Sequence, residues 1–434
     1  MISIEAIHKQ FLKCSGISID SRTVNPGDCF IAIRGPSFNG NTFAKEALRK
    51  GAKLVIVDDE SVIDSSGTFI LVSSGLHTLQ QLAKFHRLHF PSLNVIVVAG
   101  SNGKTTTKEL ISAVLTQSFS VLSTMGNLNN HIGVPLTLLG ITKDHDFAII
   151  ELGANHIGEH EFLCDLVSPS FGIVTNCGKD HLEGYGSLSG VIQSNKEVYD
   201  HLIELMGKAF VNSDDETLLG LVDGLECIYY GQNKKLNNQL ILESLSRNPM
   251  LTLSISTQSN EAVSISSSLY GDYNVTNILA ALTIGHYFGC SLKNMKRAVE
   301  GYKPNNNRSQ QIIWQSNVVY LDAYNANPSS MSEFCKFITS IRSNSKIIIL
   351  GAMEELGSHS DVEHLALINQ LKQMSYSKLI LVGPAFKPVI GDISCDYVDS
   401  YEDVITLLTS SAITDSTLFI KGSRKYTLEK IINS

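Results

Sequence analysis

The chain has 434 residues, and at about 150 residues per domain it has room for three cores rather than one. Hydrophobic residues make up 43% and charged residues 18%, with a mean hydropathy of +0.07, a balance that excludes disorder, collagen-like repeats and coiled coil. The 34 basic and 42 acidic residues leave a net charge of −8, which excludes a broad surface for tracking nucleic acid.

In chain order, residues 1–82 mix β-branched runs, Cys29 to Ile33 and Lys53 to Val57, with a helical stretch from Thr42 to Lys50 that Gly51 ends. This predicts a small α/β unit. Residues 83–306 form the second unit, where an apolar run from Asn94 to Ala99 leads through a glycine loop into a helix-period stretch from Lys104 to Gln117. Apolar runs at Phe147 to Leu152, Phe171 to Asn176 and Ala209 to Asn212, with helical stretches between them, predict a parallel sheet covered on both faces. The alternating segments Leu251 to Ser256 and Ala262 to Ser268 predict an antiparallel pair.

Gly301 to Asn307 carries proline, glycine and asparagine and reads as a linker. Beyond it, residues 307–434 form the third unit. Strand-like runs at Val318 to Leu321, Lys346 to Leu350, Lys378 to Val382 and Leu418 to Ile420 alternate there with helical patterns such as Asp361 to Met374, as in an open, Rossmann-like α/β domain. The predicted fold class is α/β in three domains, the central one a phosphate-loop domain on a mostly parallel sheet. The eight cysteines form no C-x-x-C pair, so free thiols in a reducing compartment are expected. With neither a secretory leader nor an apolar run of the ~18 residues that span a bilayer, the protein reads as cytoplasmic, without membrane insertion.

The sharpest local signal is Gly100-Ser101-Asn102-Gly103-Lys104-Thr105-Thr106-Thr107, between a predicted strand and a predicted helix. Glycines let successive N–H groups face a phosphate, the helix N-terminus adds its positive dipole end, Lys104 reaches terminal phosphate oxygens and Thr105 can ligate magnesium. The full G-x-x-x-x-G-K-[ST] pattern would need glycine at Val98, so this is a shortened form. A plain glycine turn capping a helix is the competing reading, disfavoured by the strand before and the helix after.

Magnesium takes oxygen ligands and keeps several waters, so beyond Thr105 it calls for an acidic group at the carboxyl end of a neighbouring strand. Glu151, which closes the run from Phe147, is the candidate. His181 follows a second strand end and could reach the same cleft, against the default of a hydrogen-bonded loop histidine. His156 and His160 lack the H-E-x-x-H order, and His86 and His89 read as a polar helix edge, so neither pair predicts a zinc site. The polar loop from Gly126 to Pro135 offers amides for a peptide or phosphate, with a plain surface turn as the alternative.

Taken together, these stretches resemble the Mur ligase family over nearly the whole chain. The ordered matches are Asp20-Ser21-Arg22, the phosphate loop, Gly126 to Pro135, Glu151 to Asn155, Thr175-Asn176, His181 to Gly184, Gly271 to Asn274 with Asn277, Asn307 to Gln310, Asp322 to Pro328 and Lys421 to Arg424. The string Tyr324-Asn325-Ala326-Asn327-Pro328 is similar to members that join D-alanyl-D-alanine to UDP-N-acetylmuramoyl-tripeptide. The resemblance implies an N-terminal domain for the UDP-sugar peptide, a central ATPase, and a C-terminal domain that closes over ATP and receives the amine.

It also implies ATP and Mg2+ as cofactors and those two substrates as partners, and a monomer is expected. By position, Ser21 and Arg22 would belong to the uridine-nucleotide site, Asn129 and Asn130 to the sugar-peptide site, and Tyr324 and Asn325 to the substrate side of the third domain. Gly100, Ser101, Asn102, Gly103, Lys104, Thr105 and Thr106 would hold the ATP phosphates. Asn274 and Asn277 would lie at the adenine, while Arg308 and Asp322 would reach ATP from the linker and the C-terminal domain. Thr105, Glu151 and His181 would ligate magnesium and, with Lys104, form the catalytic set. The implied chemistry is attack of a substrate carboxylate on the γ-phosphate, then attack of an amine on the acyl phosphate.

Three positions depart from the family pattern. Where a lysine is usual, carrying a carbamate that helps hold a second magnesium, the chain has Asn195; Lys196 is displaced by one residue, about 100° around a helix. Ala352 stands where an acidic residue is common, and Asn39-Gly40-Asn41 where Asp-Gly-His is usual, both predicting tuned rather than abolished binding. A family member adding a different amino acid, and a nucleotide-binding relative without catalysis, are the alternative readings. The third residue of the tripeptide is not legible in the sequence.

Overall fold

The computed structural model describes residues 2–65, 67–233, 238–410 and 413–432. Near the N-terminus, four short parallel strands lie in the order Ile17–Ser18, Cys29–Ile31, Leu54–Val57, Phe69–Leu71. The predicted helix is a 3-10 turn, Gly40–Phe43, followed by the helix Ala44–Arg49. The helix Gly75–Leu88, capped by Ser74, then packs against both the first helix, Ile4–Phe11, and the helices Gly133–Leu138 and Glu159–Val167. Position 82 lies inside it, and Leu79, Leu82 and Ala83 sit in one core shared by the N-terminal sheet and the central sheet.

Because helices cover Gly75–Leu88 from both sides, His86 is buried rather than on the expected polar edge. Its Nε2–H donates to the Ile141 carbonyl at 2.9 Å, leaving Nδ1 to accept from His8 Nε2 at 2.9 Å. His160 is buried too, and its Nδ1 lies 3.0 Å from both the carbonyl and the hydroxyl of Ser194. Burial, helped by the nearby Lys104 charge, pushes the His160 pKa down to about 4. A histidine depressed in this way contributes stability that is present above about pH 6.5 and lost as the pH falls through 4. Between pH 7 and pH 5 that is about 2 kcal/mol. The fall in urea midpoint across this range is expected to be smaller in His160→Gln than in the wild type. Equal falls in the two proteins would place a charged histidine in the fold.

The central sheet has six parallel strands in the order Glu226–Tyr230, Lys208–Asn212, Phe171–Val174, Asn94–Ala99, Phe147–Glu151, Val121–Ser123. Asn94–Ala99 comes first in sequence yet lies inside the sheet, so later strands are added on both sides of it. That change of direction is where open α/β sheets form ligand crevices, at the carboxyl ends of the strands. Val95 to Ala99 are fully buried, as are Ile149 and Ile150, which is why these strands read as unbroken apolar runs. The helix Lys104–Leu115 packs against the almost wholly buried helix Tyr273–Tyr287. The predicted antiparallel pair is present as Met250–Thr257 and Ala262–Tyr270, with a third strand, Leu240–Asn248, alongside.

The C-terminal sheet runs Gln310–Trp314, Asn317–Asp322, Thr417–Lys421, Lys346–Gly351, Lys378–Val382, Asp396–Val398, all parallel except the first. Its core takes in Leu182, Tyr185 and Tyr270 from the central unit, so the two units are packed together. The eight cysteines are free thiols, and among the described residues no helix is long and apolar enough to cross a membrane.

Candidate functional site

The carboxyl ends of the central and C-terminal sheets open onto one cleft of about 1510 Å³. On its central side lies the phosphate loop. Gly100 has φ +116, and a Cβ there would lie 2.2 Å from Thr175 Oγ1. Gly103, the N-cap of Lys104–Leu115, has φ +84, and its Cβ would lie 2.7 Å from Asn277 Oδ1. Both positions require glycine, for conformation and for space. The loop is tied to the next strand end: Ser101 N donates to the Asn176 carbonyl (2.9 Å), Asn102 N to Asn176 Oδ1 (3.2 Å), and Thr175 Oγ1 to the Asn102 carbonyl (2.7 Å). Lys104 Nζ donates to the carbonyls of Gly100 (2.5 Å) and Ser101 (3.2 Å), and Thr106 is buried at the cleft wall.

Beside the loop stands Glu151, only 1% exposed at the end of its apolar strand. Its Oε1 accepts from Thr105 Oγ1 at 3.2 Å and from Asn129 Nδ2 at 2.8 Å, while Oε2 is buried with no hydrogen-bond partner. A buried carboxylate oxygen without a donor is costly unless a cation meets it, so a hydroxyl and half-satisfied carboxylate here fit a magnesium ion. His181 lines the same cleft with φ 44, a strained backbone for a non-glycine residue. Its ring faces Glu355 Oε2, 2.7 Å from Nδ1 but out of line for a hydrogen bond, and Asp180 Oδ1, 3.7 Å from Nε2. Burial alone would lower the His181 pKa, but the Glu355 and Asp180 carboxylates outweigh it and the net shift is upward.

The other expected residues divide. Asn129 reaches Glu151, whereas Asn130 Oδ1 caps its own turn by accepting from the N–H groups of Ile132 and Gly133. Asn274 and Asn277 line the cleft, yet their amides knit helices together. Asn277 Nδ2 donates to Asn274 Oδ1, Asn277 Oδ1 accepts from Thr107 Oγ1, and Asn274 Nδ2 donates to Tyr270 and Ser309. Opposite the loop, the Arg308 guanidinium lies 3.6 Å from the Tyr324 ring centre, and its Nε is buried without a partner. Asp322 accepts from the buried Lys421 ammonium at 2.7 Å, and the same ammonium holds the Asn325 carbonyl at 3.1 Å. Ser21 and Arg22 lie in the N-terminal unit, outside this cleft's lining; Arg22 is turned onto Asp20, whose carboxyl it holds down at about 2.

Several cleft residues had no role assigned from sequence. Lys421 sits at a strand end and completes the Asp322 pair. Asn327 and Ser329 open the helix Pro328–Ser340 and touch the central unit, as do Glu355 and Glu363. An Asn-Pro helix start was the available signal for the first of these.

A phosphate loop at the crevice of a parallel sheet, facing a second α/β domain across one cleft, defines a nucleotide-using catalyst whose site lies between two of its domains. Residues 13–88 match the description "Mur ligase family, catalytic domain", residues 98–285 "Mur ligase middle domain", and residues 307–424 "Mur ligase, glutamate ligase domain". The chain is 30% identical to UDP-N-acetylmuramoyl-tripeptide--D-alanyl-D-alanine ligase of Treponema pallidum, over 96% of this chain and 92% of that one. It superposes on MurF from Acinetobacter baumannii with a TM-score of 0.87 at 25% identity, covering 99% and 98% of the two chains. MurF ligase from Thermotoga maritima, solved in complex with ADP, shares the fold with a TM-score of 0.84 at 24% identity, covering 98% and 97%. The chain belongs to the Mur ligase family.

Proposed function

We propose that the protein is an ATP-dependent ligase that joins D-alanyl-D-alanine to UDP-N-acetylmuramoyl-tripeptide, releasing ADP and phosphate. The observation that carries this is the single cleft shared by the phosphate loop and the C-terminal strand ends, in a chain similar end to end to a ligase of that name. Its place is the cytoplasm, as a monomer, in the supply of peptidoglycan precursor on which cell shape and division depend.

The tripeptide carboxylate attacks the γ-phosphate and ADP leaves; the dipeptide amine then attacks the acyl carbon, expelling phosphate and losing a proton. Two anions must meet in the first step. Lys104, the loop N–H groups and the helix N-terminus offset their repulsion and stabilise charge on the transferring phosphoryl group. Thr105 and Glu151 would hold Mg2+, with His181 a further ligand; when bound, the ion neutralises phosphate charge. Arg308, stacked on Tyr324, and the Asp322–Lys421 pair bring the C-terminal domain's charges to the ATP side of the cleft. Asn129 holds Glu151 beside the sugar-peptide loop, and Ser21 and Arg22 anchor the uridine nucleotide on the N-terminal unit.

Asn195 is buried, with Nδ2 donating to the Val191 carbonyl at 2.9 Å, and the Lys196 ammonium is paired with Asp200 on the partly exposed side of the helix. No amine therefore stands at position 195 for carbamate formation, and the rate is expected to be the same in bicarbonate-free and bicarbonate-supplemented buffer. A strong bicarbonate response would mean that another lysine has taken the role.

The test of the reading is product mass. Amide should form only with ATP, the UDP-sugar tripeptide and D-alanyl-D-alanine together, and paired runs with meso-diaminopimelate or lysine at position three identify the third residue. Tight binding of nucleotide and tripeptide without any amide product would favour a relative that has lost catalysis.

A further inference from the structure

We infer that Asn327 is a positioning residue, a two-sided latch that couples the phosphate loop to the amine-delivering domain; this rests on the ligase reading above. Asn327 caps the helix Pro328–Ser340, its Oδ1 accepting from Ser330 N at 2.8 Å while its own N–H donates to Ser330 Oγ at 3.1 Å. That occupies the cap without using Nδ2. Both Nδ2 protons leave the C-terminal domain, one to Asn102 Oδ1 in the phosphate loop at 2.9 Å, the other to Asp180 Oδ1 at 3.1 Å.

Asn327 is 6% exposed and Asp180 5%, so the bond between them is buried and leaving it unmade costs desolvation of both groups, while the bond to Asn102 is partly buried at the cleft wall. Asn102 is not free to follow a moving partner, because its backbone N–H and carbonyl are held by Asn176 and Thr175. The latch therefore grips a short side chain carried on a firmly held loop backbone. A neighbouring tie is weaker: Lys179 pairs with Glu363 at 2.5 Å, but its side chain is 46% exposed and screened by solvent. Aspartate or serine would cap the helix as well as asparagine. An amide alone among the good caps also supplies two donors, which is the demand placed by Asn102 and Asp180 together.

With the latch closed, amine and acyl phosphate share a water-poor cleft; with it open, the acyl phosphate still forms but meets water. Asn327→Asp keeps the cap acceptor, loses both donors and sets a carboxylate against Asp180. The measurement is phosphate released per amide formed, alongside ATP affinity and melting temperature. Asn327→Asp is expected to hold ATP within about twofold of wild type while amide turnover falls on the order of tenfold and phosphate exceeds amide, because water competes for the acyl carbon. Asn327→Ser, a cap too short to reach both partners, should uncouple likewise and serves if the aspartate variant does not fold. Exchanging the pair, Asn327→Asp with Asp180→Asn, returns a donor to the contact and should bring the ratio back toward one.

A ratio of one with near-normal turnover in Asn327→Asp or Asn327→Ser, or an exchanged pair as uncoupled as Asn327→Asp alone, would overturn the latch. A helix defect alone would lower the melting temperature with amide and phosphate falling together, and that too would overturn it. A wild type that forms no amide would instead overturn the ligase reading.

Discussion

Lys104→Ala is expected to lose on the order of a thousandfold in turnover while leaving UDP-sugar-peptide affinity within about twofold. The Gly100 and Ser101 carbonyls hold the ammonium at the loop, and on the proposed mechanism its charge there offsets that of the transferring phosphoryl group. Ser21 and Arg22 lie outside the cleft that Lys104 lines, on the N-terminal unit. Steady-state turnover paired with calorimetry of the UDP-nucleotide checks both halves. A parallel loss of rate and affinity would show that the two sites are not separate.

The second large effect is expected at Glu151. Glu151→Gln preserves volume and an acceptor for Thr105 and Asn129, yet removes the charge behind the unpartnered Oε2. Turnover should fall roughly a hundredfold, with half-saturation moving to higher magnesium, because a hard dication loses its anionic ligand. Glu151→Ala would also leave the Thr105 hydroxyl and the Asn129 amide without their acceptor, so the glutamine variant separates charge from folding. An unchanged magnesium titration in Glu151→Gln would remove Glu151 from the metal site.

Much of the central domain is legible in the sequence for a physical reason. Strands buried on both faces are continuous apolar runs; Phe147–Glu151 ends on a carboxylate that lines the cleft, and Asn94–Ala99 leads directly into the phosphate loop. The phosphate loop declares itself because glycine, lysine and hydroxyl residues sit at fixed local spacing. Short edge strands do not declare themselves: Val121–Ser123 and Asp396–Val398 have three half-buried residues each, too few to show a period. Leu240–Asn248 is missed because a register shift between Leu242 and Ser244 and its solvent-facing polar run blur the alternation.

Pairings across the cleft are the least legible. Asn102 and Asn327 are 225 positions apart, and Lys421 meets Asp322 from 99 positions away, so nothing local marks either contact. His86 shows the same limit in the core, since a polar side chain on one helix gives no sign that His8 and the Ile141 carbonyl will satisfy it. Asn274 and Asn277 show it in the opposite sense, as cleft residues whose amides also serve the packing of helices.

The central claim is that the tripeptide carboxylate attacks the γ-phosphate in this cleft and is then released from phosphate by the amine. Oxygen tracing tests it most directly. With 18O in both oxygens of the tripeptide carboxylate, one label should appear in inorganic phosphate and one should remain in the new amide, in equal amounts. Amide formed with no label in phosphate would contradict the acyl phosphate and the roles assigned to Lys104 and Glu151.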